Sequence, residues 1–419
     1  MNLSRGLTWK LLERVLYQGI KFIVQIILAR LIAPEEYGVL SILLVFIAFA
    51  DIITQSGLNT ALIQKEKIDD TDISTVFWFS IAIAGVLYLI LFLTAPFIAN
   101  YYQEEILIPT LRVISLCIFF VAANGIQIAY VSRKLDFKSV FISSLASCLI
   151  SGGVGIFLAY NNFGIWALVI YYIMGFFLNV VCMFPFAHLK IWKVPSLKSL
   201  KTLLPFGIKL MFSTIIATVT ENLYNLILGK RYNTEIVGYY TRGQQFPHAI
   251  STSISATVSS VLLPYLSKNQ TNLEHIKKVA RKSVSMATYI MFPILGGLFA
   301  IAELMVVTLL TDKWLPCVTF LRLECLFYAT IPMMNAAGQG CVALGRSDIS
   351  LKIEMFKSVP TVAFIFVIMN FTNVYYVVGI RVIVSLITFL FRYILRKKFM
   401  AIHYLTEFVI LRLICLLQF

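Results

Sequence analysis

Residues 12–38, LERVLYQGIKFIVQIILARLIAPEEYG, decide how the rest of the chain is read. From Leu12 to Leu31 the run is apolar and long enough to cross a bilayer, yet it carries Arg14, Gln18, Lys21 and Gln25. Steps of four, three and four residues place those side chains on one narrow helical face. Lys21 stands near the middle, too deep to reach either headgroup layer with ease, so this face expects protein or water rather than lipid. Pro34 and Gly38 then break the helix before the next apolar run starts.

The pattern returns at Thr214, Thr218, Glu221 and Asn225, each 200 positions beyond Arg14, Gln18, Lys21 and Gln25. Gly229-Lys230, Glu235 and Gly238 follow, matching Ala29-Arg30, Glu35 and Gly38. A second echo pairs Leu111-Arg112 with Leu321-Arg322, and Arg133 and Asp136 with Arg346 and Asp348. A repeat of this length in a membrane chain indicates two homologous halves. The first stripe is basic and the second acidic and neutral, so the two faces are not expected to do the same job.

The chain is 59% hydrophobic and 13% charged, with a mean hydropathy of +0.86, the composition of an integral membrane protein. Its apolar runs are about 18–25 residues long, which is helix length and too long for barrel strands. They are predicted at 11–31, 39–56, 73–98, 107–131, 140–160, 165–185, 203–228, 237–266, 284–310, 319–344, 353–370, 375–394 and 401–419. The connection from His188 to Lys201 separates a first lobe, residues 1–190, from a second, residues 191–400. Residues 401–419 form an extra apolar helix. Arg14 and Lys21 interrupt the first run and no small-residue cleavage site follows, so it is expected to stay in place as a helix rather than leave as a signal peptide.

A net charge of +15 raises the question of nucleic acid, but the positions of the charges answer it. With the N-terminus cytoplasmic, most Lys and Arg fall in the tail and inner loops, while the outer loops hold Arg30, Lys230, Arg231 and Lys313. That asymmetry is a topology signal and an anionic-lipid contact, not a nucleic-acid site. The seven cysteines lie in or beside apolar runs without metal spacing and are expected to be free packing thiols. No connection is long enough for a soluble catalytic, nucleotide-binding or receptor domain. There is no phosphate-cradling glycine loop, HExxH or CxxC, and the four histidines are scattered, so neither catalytic residues nor a metal site is expected.

Several stretches resemble the polysaccharide transporter family. These are Ala29 to Gly38 (ARLIAPEEYG), Gly57 to Lys65 (GLNTALIQK), Arg133 to Lys138 (RKLDFK) and Phe163 to Leu168 (FGIWAL). The family comprises bacterial flippases of the Wzx and teichuronic acid exporter type, within the superfamily of MATE exporters and the lipid II flippase. The resemblance covers about residues 1–400, and the motifs stand in the family's order. It implies an all-α polytopic protein of the bacterial inner membrane, with two six-helix bundles around a central cavity and alternating access. Its implied cargo is a lipid-linked oligosaccharide, with membrane lipids around it and room for a polysaccharide polymerase machinery as partner. No cofactor is implied beyond coupling to a proton or sodium gradient.

Such a cargo has an anionic diphosphate and a hydroxylated sugar head, which cations and amides suit. The candidates for the cavity are the cations Arg14, Lys21, Arg112, Lys209, Arg242 and Arg322. Gln18, Gln25, Asn124, Gln127, Asn225, Asn335 and Gln339 are the polar lining. Asp51 and Glu221 are expected to be buried carboxylates and candidates for ion coupling. A competing reading of every one of these residues is interhelical hydrogen-bond glue or helix-end snorkelling. A MATE-type drug exporter would want an acidic, aromatic cavity, against which the cationic stripe argues, and a lipid II flippase stays open. A membrane sugar polymerase or ligase needs a long catalytic outer loop, which this chain lacks.

Overall fold

The computed structural model describes residues 16–55, 57–64, 68–134, 136–187, 189, 192–268, 273–332, 335 and 373–400. Arg14, Gln339, the run at 353–370 and the apolar helix at 401–419 lie outside the described residues, as does the side chain of Lys209. Every regular element described is helical. Packing divides the chain into two units, Met1–Gly238 and Tyr239–Phe419.

The first unit holds α1 (Gln18–Leu31), α2 (Pro34–Gln55), α3 (Leu58–Gln64), α4 (Asp70–Tyr102), α5 (Leu107–Ile114), α6 (Cys117–Arg133), α7 (Phe137–Tyr160), α8 (Ile165–Ala187) and α9 (Leu197–Arg231). Among the described residues six spans are long and apolar enough to cross a membrane. Five are here: α2, α4, α5 with α6, α7 and α8. α4 leaves Val86, Ile90, Leu93 and Phe97 exposed at helical spacing, a face that only lipid would cover. α9 is 35 residues long and carries the second polar stripe along an otherwise apolar run.

Little hydrophobic gain separates helix against helix from helix against lipid, so close approach through small residues has to hold the bundle. α7 buries Ser143, Ser147, Ser151 and Gly155 at every fourth position, and a Cβ on Gly155 would stand 2.9 Å from the Tyr171 side chain of α8. On its other side Gly152 receives Val24 of α1.

The family-like motifs are the joints of this unit. Glu36, in the first turn of α2, accepts from the Ala33 N–H at 3.2 Å and from the Ile165 N–H at 3.0 Å. Its carboxylate thus serves an open N–H at the start of α8. Gly164, at φ +57, leaves that carboxylate room. Asp136 caps α7 through Ser139, whose hydroxyl donates to it at 2.6 Å. Arg133 ties α6 to the Leu62 carbonyl of α3 at 3.0 Å.

The connection between the runs predicted at 39–56 and 73–98 contains α3. Leu58, Ala61 and Leu62 share one face and pack on Ile73, Val76 and Ile126. The run at 107–131 is likewise split, between Ile114 and Cys117. α9 packs on α2, α3 and α4, so it groups with the first unit rather than with the residues that follow it.

A reciprocal contact joins the two copies of the Pro/Thr-Glu-x-x-Gly segment. A Cβ on Gly38 would run into the Thr234 carbonyl, and one on Gly238 into the Pro34 carbonyl. Pro34 and Thr234 stand at the 200-position offset of the repeat, as do Gly38 and Gly238. Both glycines are therefore fixed by close backbone approach.

The second unit holds most of α10 (Thr234–Lys268), then α11 (Leu273–Ala300), α12 (Ala302–Leu310), α13 (Cys317–Ala329) and α14 (Val374–Met400). Residues 281–300 of α11 form its one described span of membrane length. α13 packs on both α11 and α14. Trp314, in the turn before α13, is fully buried and stacks edge-on against Tyr239.

Candidate functional site

In the first unit the polar candidates gather where α2, α3 and α6 meet. The Asp51 carboxylate accepts from the Gln55 amide at 2.5 Å, and Asn59 donates to the Gln55 oxygen at 3.2 Å. One turn separates Asp51 from Gln55; the turn at Gly57, φ +65, brings Asn59 into line on α3. Gly125 of α6 sits against this chain, since a Cβ there would lie 2.5 Å from the Asn59 amide nitrogen. Flanking Gly125, Gln127 is buried and donates to the Val180 carbonyl at 3.3 Å. The carbonyl oxygens of Asn59, Asn124 and Gln127 are buried and accept no hydrogen bond from any described residue. Gln55, legible in the sequence one turn past Asp51, and Asn59, one turn further, were not among the site candidates; the signal was that placement.

On α1, Gln18 is exposed, while Lys21 and Gln25 are half-buried. Lys21 lies beside Tyr17 and close to Cys148 of α7. On α9 the packed face is Thr220, Tyr224 and Leu228. The second stripe sits to one side of it: Thr214 is exposed, Thr218 is half-buried, and Asn225 is half-buried, its side-chain carbonyl oxygen without a partner among the described residues. Glu221, expected to be buried, is exposed, because its neighbour Thr220 takes the inward position. Asp51 is partly buried. Arg112 donates to the Phe92 carbonyl at 3.4 Å and covers the Phe92 ring at 4.3 Å, which is interhelical glue.

In the second unit Arg242 is buried, bonded to Gln245 at 2.5 Å and set 5.5 Å from the Trp314 ring. Arg322 echoes Arg112: its guanidinium lies 5.7 Å from the Phe299 ring, 3.9 Å from Glu303, and its Nε is buried with no partner among the described residues. Asn335 is exposed. The structure brings none of these second-unit candidates into one cluster.

The buried carboxylate of this unit is Glu324, fully enclosed and paired to Arg381 at 2.8 Å. Arg381 also bonds the Tyr240 hydroxyl and covers the Phe327 ring at 4.0 Å. The sequence carried a signal for this pair: two charges in apolar runs without a nearby partner, each needing the other. The five described cysteines are free, and no group of three metal-ligating side chains occurs among the described residues.

These helices, with polar side chains inside bundles of membrane length, define a polytopic membrane transporter scaffold. The fold is MATE-like: an inward-facing multidrug resistance MATE family transporter of the MOP superfamily superimposes with a TM-score of 0.70 at 14% identity, over 92% of this chain and 95% of that one. A family model described as "Polysaccharide biosynthesis protein" matches residues 27–319. The chain belongs to that family of polysaccharide biosynthesis proteins. It is 26% identical to the lipopolysaccharide biosynthesis protein WzxC of Escherichia coli, over 84% of this chain and 72% of that protein. It is 25% identical to the teichuronic acid biosynthesis protein TuaB of Bacillus subtilis, over 78% of this chain and 71% of that one. The chain is thus a multi-pass helical membrane protein of a polysaccharide biosynthesis family, with a MATE-like fold.

Proposed function

We propose that this protein carries a polyprenyl-pyrophosphate-linked oligosaccharide, the repeat unit of a cell-surface polysaccharide, from the cytoplasmic to the outer leaflet by alternating access. Two lobes, residues 1–190 and 191–400, enclose the cargo head, and the N-terminus is cytoplasmic in a bacterial inner membrane. One observation supports this reading: polar side chains stand exposed or half-exposed along otherwise apolar helices, Gln18, Lys21 and Gln25 on α1 and Thr214 and Glu221 on α9. Lipid does not solvate such groups, so these faces look onto water or a polar cargo. The reciprocal contact of Gly38 and Gly238 acts as the seal at one end of that chamber. Asp51, heading its hydrogen-bonded chain, and Glu221 are the ion-coupling carboxylates.

The test is complementation of a strain lacking its own flippase, with the stranded lipid-linked intermediate identified by mass spectrometry. Restored surface polysaccharide and loss of the stranded repeat unit are expected. Rescue of lipid II translocation alone, or efflux of organic cations alone, would overturn the assignment in favour of those activities.

A further inference from the structure

The second unit contains a cavity of about 250 Å³ between α11, α13 and α14. Its walls are apolar, with Phe292 and Phe299 from α11, Leu326 from α13 and Ile383 from α14 among them. A dry apolar cavity of roughly 150 Å³ already holds a benzene-sized ligand, so this one has room for a length of hydrocarbon chain. Ile383 at its rim is 54% exposed. In a membrane-spanning unit such a rim meets lipid rather than bulk water.

Arg322 supplies the polar end. It precedes Cys325, Leu326 and Ala329, all of which line the cavity, by three, four and seven residues, so it stands on the same face of α13 one turn nearer the helix start. Its guanidinium lies by the ring of Phe299, itself a wall residue. Its Nε has no partner among the described residues, and its contact to the exposed Glu303 is long, 3.9 Å.

We propose that this cavity and Arg322 form a binding site for an anionic phospholipid, with one acyl chain in the cavity and the phosphate on the guanidinium. The charge balance selects this occupant. One guanidinium, with its exposed carboxylate neighbour held off at 3.9 Å, offsets at most a single negative charge, which suits a phosphodiester better than the more highly charged polyprenyl diphosphate.

Native mass spectrometry of the purified full chain tests this, using phosphatidylglycerol, phosphatidylcholine and a polyprenyl phosphate as probes. Retained phosphatidylglycerol in preference to phosphatidylcholine is expected, with R322Q weakening retention about tenfold and E303Q strengthening it. A Cβ at Gly296 or Gly379, both wall residues, meets nothing within 4 Å, so Gly379→Leu and Gly296→Leu fill the cavity without a backbone clash. Either should expel the lipid while the protein keeps its unfolding temperature, and the second stands in if the first fails to fold. Equal retention of both phospholipids, retention unmoved by R322Q and by the folded cavity-filling variant, or displacement of phosphatidylglycerol by the polyprenyl phosphate would each overturn the assignment.

Discussion

Removing the charge of Glu324 should destabilise the second unit, because the partner it leaves behind has no other way to be neutral. Arg381 and Glu324 are 2.8 Å apart, with side chains 7% and 0% exposed. At about 4 Å between charge centres and an effective dielectric of about 20, their attraction is about 4 kcal/mol. E324Q forfeits that attraction and strands a guanidinium that does not lose its proton, a cost of about 3–5 kcal/mol. R381Q strands a carboxyl instead, which can shed its charge by binding a proton. Its penalty should therefore be smaller than that of E324Q. The double replacement E324L/R381M, which leaves no charge behind, should lie close to the native protein. Thermal unfolding of detergent-purified protein reads this directly, since about 1 kcal/mol shifts the midpoint by about 2–4 °C in a unit of this size. E324Q should thus lose about 6–20 °C, reading the energy range through that factor. A native midpoint for E324Q, or a double variant as unstable as the sum of the single ones, would refute the reasoning.

Gly38→Ala and Gly238→Ala each drive a methyl into a backbone carbonyl that no side-chain rotation can relieve, at Thr234 and Pro34. Each should cost about 1–3 kcal/mol in the closed contact and slow export about 5–150-fold, measured by accumulation of the lipid-linked intermediate; native export would refute the seal. Gly125→Leu should push Asn59 off Gln55 and break the chain from Asp51, lowering export with little change in membrane insertion; unchanged export would remove that chain from function. Lys21→Glu should abolish export at native protein levels, and intact export would take Lys21 out of the cargo path. Glu221→Gln should flatten the dependence of export on external pH or sodium, and a native profile would end its coupling role.

Much of the fold was legible because the bilayer imposes it. Span length, the Pro34 and Gly38 break and the chain's low charge content leave helices as the available choice. The motifs were legible as words but not as joints. That Glu36 would reach the start of α8, or Asp136 cap α7, follows only once the helices are side by side. α3 went unread because seven residues are too few for a periodicity to show, and its apolar face has meaning only beside Ile73, Val76 and Ile126. The cations were legible as candidates, yet their roles were not separable in one dimension. Arg112 spends itself on Phe92, Arg242 on Gln245 and Trp314, and Arg322 stands at an apolar cavity.

The sequence alone determined that this is a polytopic helical membrane protein with an internal echo at 200 positions, since apolar length and side-chain periodicity are local properties. Only the tertiary structure decided which buried charge has which partner. It turned Glu221 outward and Thr220 inward on α9, and it closed Glu324 onto Arg381 across 57 residues. In a medium of low dielectric the fate of a charge rests on what lies within a few ångströms of it, and that distance is set by helices meeting, not by their order along the chain.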